Sequence, residues 1–244
     1  MRMISLILAT LLSVSVSAAD KVVELTSLDW PPYSGKSLKE QGASVAVAKA
    51  AFKAMGYELK VSFYPWNRAV ALAKDTSSSV AGYFPEYYSD DIAKEFTFSE
   101  PMGTGPLGFA ERKDKPVSWS NLDDLKAYSI GVVQGYVNTA EFDAMVASKA
   151  IKSSTTISDV NNLKKLVAGR IDLAVVDKNV MNFLLKTDKQ LSGSAGKLQF
   201  NSTLLEDKKL YICFKNTAEG KKLADIYNQG LKKIDIKAIM AQHL

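Results

Sequence analysis

From residue 21 onward the spacing of apolar positions switches repeatedly between a period of two and one near 3.6, the signature of strands alternating with helices. Val22–Leu28 predicts a first strand. Gly42–Met55 brings Val45, Ala48, Phe52 and Met55 onto one helical face, and Gly56 stops the helix. Glu58–Tyr64 predicts a second strand, Pro65 opens a helix reaching about Lys74, and Val80–Phe84 forms a short third strand. The same order then repeats. Gly108–Arg112 is strand-like, Ser120–Asp123 carries a helix cap, Ser129–Val133 is a strand, and Thr139–Ser148 a helix. Ser158 caps a helix bearing Val160, Leu163, Leu166 and Val167, which Gly169 ends. Ile171–Val176 is near-continuously apolar, as in a parallel strand covered on both faces. Asn179–Lys186 (helix), Lys209–Phe214 (strand) and Ala218–Ile234 (helix) complete the series. The expected class is α/β with mostly parallel sheets, in two halves of roughly a hundred residues.

The first eighteen residues follow a different grammar. Met1-Arg2 is a short positive start, Ile4–Val16 an apolar run too short to span a bilayer, and Val16-Ser17-Ala18 a small-residue cleavage pattern. This predicts a secretory signal cut after Ala18, and with no Cys at the cut, no lipid anchor. Removing it leaves 30 basic against 26 acidic residues, a mild excess spread along the chain. Nucleic-acid binding needs a concentrated basic surface and is not expected. Cys213 is single, lies in an apolar strand pattern and reads as a buried core thiol. His243 has no visible His or Cys partner, so neither a zinc site nor a Ser/His/Asp triad is expected.

Three segments narrow the class. Glu95-Phe-Thr-Phe-Ser-Glu-Pro-Met102, Gly105-Pro-Leu-Gly-Phe-Ala-Glu-Arg-Lys113 and Leu122-Asp-Asp-Leu-Lys126 follow one another, and Gly169-Arg-Ile-Asp-Leu-Ala-Val-Val-Asp177 lies downstream. Together they resemble bacterial extracellular solute-binding protein family 3, the periplasmic amino-acid-binding proteins of ABC transporters. The resemblance implies a two-lobed type II periplasmic-binding fold, each lobe a mostly parallel sheet flanked by helices, with crossings near Phe109–Lys113 and Glu206–Lys209. It divides the chain into a leader (1–18), a first part of lobe one (19–109), lobe two (110–207) and a return to lobe one (208–244). It implies a monomeric periplasmic receptor for a small polar molecule, an amino acid or related amine or amide, delivered to an ABC permease in the inner membrane. No catalytic residue, metal or cofactor is expected. Two alternatives share the fold: a cyclohexadienyl-dehydratase-like enzyme using Glu86 or Asp177 as general acid, and a sensory ligand-binding subunit.

Ligands of open α/β sheets sit beyond the carboxyl ends of the strands. The candidate contacts in those loops are Trp30, Trp66, Arg68, Tyr83, Phe84, Tyr87, Gln134, Tyr136, Asn138 and Asp177. By the resemblance, Trp30 takes the stacking position, Trp66 an apolar wall, the Gln134–Asn138 loop a backbone contact and Asp177 the acid that meets an ammonium group. The family's hydroxyl residues are replaced here by Phe84, Pro85 and Tyr87, and Ile92 stands where its carboxylate-binding arginine is expected. Arg68, in the first turn of a helix, is the alternative cation. The density of aromatics suits a cationic, ring-bearing or amide-rich ligand.

Overall fold

The computed structural model describes residues 21–244. The leader and its cleavage site lie outside them. Among the described residues, eight of nine strands follow one hydrogen-bonded path, the ninth pairs beside it, and helices pack on them. The first group holds β1 (Lys21–Ser27), α1 (Ala43–Ala54), β2 (Tyr57–Phe63), α2 (Trp66–Lys74), β3 (Gly82–Tyr87), α3 (Asp90–Glu95) and β4 (Phe96–Phe98). β5 (Thr104–Arg112) leads to β6 (Ser129–Val133), α4 (Ala140–Ala147), β7 (Lys152–Thr156), α5 (Asp159–Val167), β8 (Leu173–Asp177) and α6 (Lys178–Thr187). The long β9 (Leu198–Lys215), α7 (Ala218–Leu231) and α8 (Ile236–Ala241) follow.

β1 pairs in parallel with β2 and β3, and β6 in parallel with β7 and β8. β9 ties the two groups together. Its first part pairs antiparallel with β5, and its last part with β3 and β4. Eighteen residues at about 3.3 Å each give it the reach to belong to both sheets. The segment Phe109–Lys113, expected at a crossing, instead starts deep in the second sheet: Leu107–Glu111 pair with β8 from Asp177 to Leu173. The chain has therefore changed sheets before Leu107. Glu206–Lys209 does lie where β9 leaves β5 for β3, since Lys209 pairs with Thr104 and Leu210 with Tyr87.

The apolar pattern and the core agree. Val45, Ala48 and Phe52 of α1 are fully buried, and every residue of β8 is buried, as its continuous hydrophobic run requires. Helix starts follow their caps: Thr139, Ser158, Asp177 and Thr217 each accept a hydrogen bond from a first-turn backbone N–H. Asn121 and Asp124 form a reciprocal capping box at the short 3-10 turn Leu122–Ala127, where the sequence predicted a helix. Cys213 is buried, as expected. No described helix is long and apolar enough to cross a membrane.

Candidate functional site

The parallel strands of both sheets aim their carboxyl ends at one place. β1 delivers Asp29–Tyr33, β2 delivers Tyr64-Pro65, β6 delivers Gln134–Asn138, β7 delivers Ile157–Asp159, and β8 ends on Asp177. Between them lies a pocket of about 460 Å³, walled by Asp29, Trp30, Tyr64, Trp66, Gln134, Tyr136 and Asp159 among others. That volume is in the range of small-molecule sites. Trp30, Tyr136 and Asp159 also border a smaller inner cavity with Tyr87, Asn138 and Asp177.

Two contacts join the loops of opposite sheets. Tyr33 Oη donates to the Asp177 carboxylate at 3.1 and 3.2 Å and accepts from Asn179 Nδ2 at 2.8 Å. Trp66 Nε1 donates to the Gly135 carbonyl at 2.9 Å. Both depend on glycine. A Cβ on Gly105 would collide with the Asp177 carboxylate and the Tyr33 hydroxyl, and Gly135 has a φ of +78° with Trp66 packed against it.

Aromatic rings build the frame. Trp30 stacks on Tyr33 with centroids 4.7 Å apart and meets Tyr87 edge-on at 6.0 Å. Trp66 meets Tyr136 edge-on at 5.9 Å. The indole N–H of Trp30 and the hydroxyl of Tyr87 are buried, 7% exposed as residues, with no hydrogen-bond partner in the protein.

The acids are unusual in their burial. Asp177 is 2% exposed and accepts from the backbone N–H groups of Asn179 and Val180 as the cap of α6. Its carboxyl is pushed up to about 7 by loss of solvent, against the pull of those hydrogen bonds. Asp159 is also pushed up to about 7, chiefly by burial and then by the charge of Asp177. The Trp30 N–H offsets part of that rise without closing to a full hydrogen bond. Glu86 rises to about 8, again through burial, while Tyr83 Oη and the Tyr87 N–H hold its oxygens.

The expected residues divide. Trp30, Trp66, Gln134 and Tyr136 line the pocket, and Tyr87, Asn138 and Asp177 line the inner cavity. Asn138 is tied down by its own neighbour, donating to Asp143 from backbone and side chain. Three candidates are elsewhere. Tyr83 and Phe84 are core side chains, since β3 is covered on both faces and neither borders the pocket. Tyr83 packs against Trp66 and Phe96. Arg68 is exposed, its guanidinium 4.9 Å from the Tyr64 ring centroid, and it does not line the pocket. Ile92 packs with Tyr83, Phe96 and Cys213.

Asp159, which borders both cavities, and Tyr33, which joins the two sets of loops, were not among the sequence candidates. Asp159 follows the cap Ser158 at the carboxyl end of β7. That strand, Lys-Ser-Ser-Thr-Thr, is polar and only partly covered, so it lacks the alternation that announces a strand. Recognising it would have added one more loop to the site.

No protein-family model matches the chain. The arginine-binding extracellular protein ArtP of Bacillus subtilis is 25% identical over 226 residues, covering 91% of this chain and 83% of the relative. An ancestral arginine-binding protein bound to arginine superposes with a TM-score of 0.73 at 16% identity, over 91% of this chain and 98% of the other. A histidine kinase sensor domain with similarity to periplasmic binding proteins gives 0.76 at 18% identity, over 92% and 96%. The chain thus has a mixed α/β, periplasmic-binding-protein-like fold, and fold and relative together are consistent with extracellular solute-binding protein family 3.

Proposed function

We propose that this protein is a periplasmic receptor that closes two lobes around a small polar solute, an amino acid or related amine or amide, and presents the closed form to an ABC permease. One observation carries the reading. Loops from the carboxyl ends of both sheets meet around a pocket and a smaller inner cavity, and Tyr33–Asp177 and Trp66–Gly135 latch the two sets of loops together. Such contacts exist only while the lobes are together, so they bias a hinge toward closure when a solute fills the space between. The lobes are assigned as residues up to about Gly103 with the return from Leu210, and residues from Gly105 to Glu206, with β5 and β9 as the paired hinge strands.

The enzymatic alternative draws support from Glu86, whose raised pKa suits a general acid. Its oxygens are nevertheless engaged within β3, and the pocket wall holds no arginine or lysine to grip a carboxylate substrate. A thermal-shift and tryptophan-fluorescence screen of amino acids, amines and small peptides, run beside a prephenate-turnover assay, separates the two. Stabilisation by a solute without turnover is expected. Turnover abolished by Glu86→Gln, with no stabilising solute, would replace the receptor with an enzyme.

A further inference from the structure

Resting on the solute-capture reading, the chemistry of the cleft specifies its occupant more narrowly. The outer pocket carries two carboxylates, Asp29 and Asp159, and five aromatic residues: Trp30, Phe63, Tyr64, Trp66 and Tyr136. The inner cavity adds Asp177. Neither wall contains a lysine, arginine or histidine among the described residues. Three residues, Trp30, Tyr136 and Asp159, belong to both walls and mark the point where the two spaces meet.

Asp159 is 6% exposed and takes part in no ion pair among the described residues. A buried carboxylate without a cation carries a large desolvation cost, which a positive ligand relieves. The aromatic frame favours the same charge through cation–π attraction. Tyr87, which lines the inner cavity, supplies an independent sign of a polar occupant, because its hydroxyl is buried without a partner and can accept from an N–H donor. Lys208, a buried cation, lies against Tyr87. Its Nζ is 5.5 Å from that ring, is paired with Glu206 at 3.3 Å, and borders a different groove. An α-carboxylate in this cleft would face acids and no base, and the family position for a clamping arginine holds Ile92 within a packed apolar cluster.

We propose that the cleft selects a small organic cation, an amine or guanidinium without an adjacent carboxylate, with its charged end against Asp159, Trp30 and Tyr136 and its body in the outer pocket. Asp159 is its principal anchor.

Matched pairs test this on the unmodified protein. Calorimetry compares agmatine with arginine, cadaverine with lysine, and tyramine with tyrosine, each pair differing by one carboxylate. At least one amine should bind, with its amino-acid partner at least tenfold weaker. Asp159→Asn should weaken that amine tenfold or more, while circular dichroism confirms the fold. Amino acids that bind as tightly as their amines would overturn the proposal and leave solute capture standing. An Asp159→Asn affinity within twofold of the parent would likewise overturn the anchor. If no member of any pair binds, the cation assignment fails, and only a solute from the broader screen keeps the receptor reading alive.

Discussion

Tyr33→Phe is the sharpest perturbation of the latch. The change removes one oxygen from a fully buried side chain that reaches from the β1 loop to the cap of α6. Asp177 loses its donor from the opposite sheet but keeps the N–H groups of Asn179 and Val180, and Asn179 Nδ2 loses its acceptor. Ring packing on Trp30 is retained. A hydrogen bond to a charged group contributes about 1.5–3 kcal/mol, against about 0.5–1.5 for a neutral one. For a chain of this size that predicts a fall in unfolding midpoint of about 3–12 °C when Asp177 is ionised. The carboxyl titrates near 7 in the fold, so the penalty should be larger at pH 8 than at pH 5. Urea titrations at both pH values, with an unchanged m-value, measure it directly. A double-mutant cycle with Asp177→Asn then isolates the coupling. A penalty below about 0.5 kcal/mol at pH 8, or one equal at both pH values, would refute the latch as described.

Two further predictions follow from the same acids and glycines. Asp159, Asp177 and Glu86 all titrate above their ordinary values in the fold, so between about pH 4 and 8 the native state holds more protons than the unfolded chain. Stability from these groups is greatest at the acid side and is lost as pH rises through 7 to 8. Carboxyls lowered in the fold, such as Asp172 beside Lys115, act below about pH 4, outside this window. Scanning calorimetry should show the midpoint falling from pH 5 to 8, with a shallower fall in Asp159→Asn; a midpoint that climbs over this range contradicts the burial argument. Gly105→Ala should lower the midpoint by several degrees and weaken solute binding together, because its methyl must displace Asp177 and Tyr33. Unchanged binding in a folded Gly105→Ala protein would mean that the latch is not coupled to the pocket.

Much of this architecture was legible because period and burial agree. The apolar runs of β8 and α1 had one fate, the Ser158 cap gave the start of α5, and the starts expected at Thr139 and Asn179 fell within one residue of those of α4 and α6. Short or polar elements were not legible. α3 has six residues, β4 three, and β7 exposes polar side chains on a sheet edge, so neither periodicity nor composition distinguishes them from loops. The length of β9 was hidden because its first two-thirds, Leu198–Lys209, is partly exposed and rich in polar residues. The site was readable as a set of loops at strand ends, which placed Trp30, Trp66, Tyr136 and Asp177 around one cleft. It was not readable in which faces those loops present. Arg68 stands out by charge in sequence, yet helix geometry turns it toward Tyr64 and solvent. Asp159 stood beside an obvious cap and was hidden by it.

The central claim is that a solute is held between two lobes that close on it. Small-angle scattering of the protein, with and without a solute identified by calorimetry, tests this most directly. A smaller radius of gyration at saturation is predicted, with the saturated curve fitting the latched arrangement in which Tyr33 meets Asp177 and Trp66 meets Gly135. A bound solute that leaves the radius of gyration and tryptophan fluorescence unchanged would contradict it.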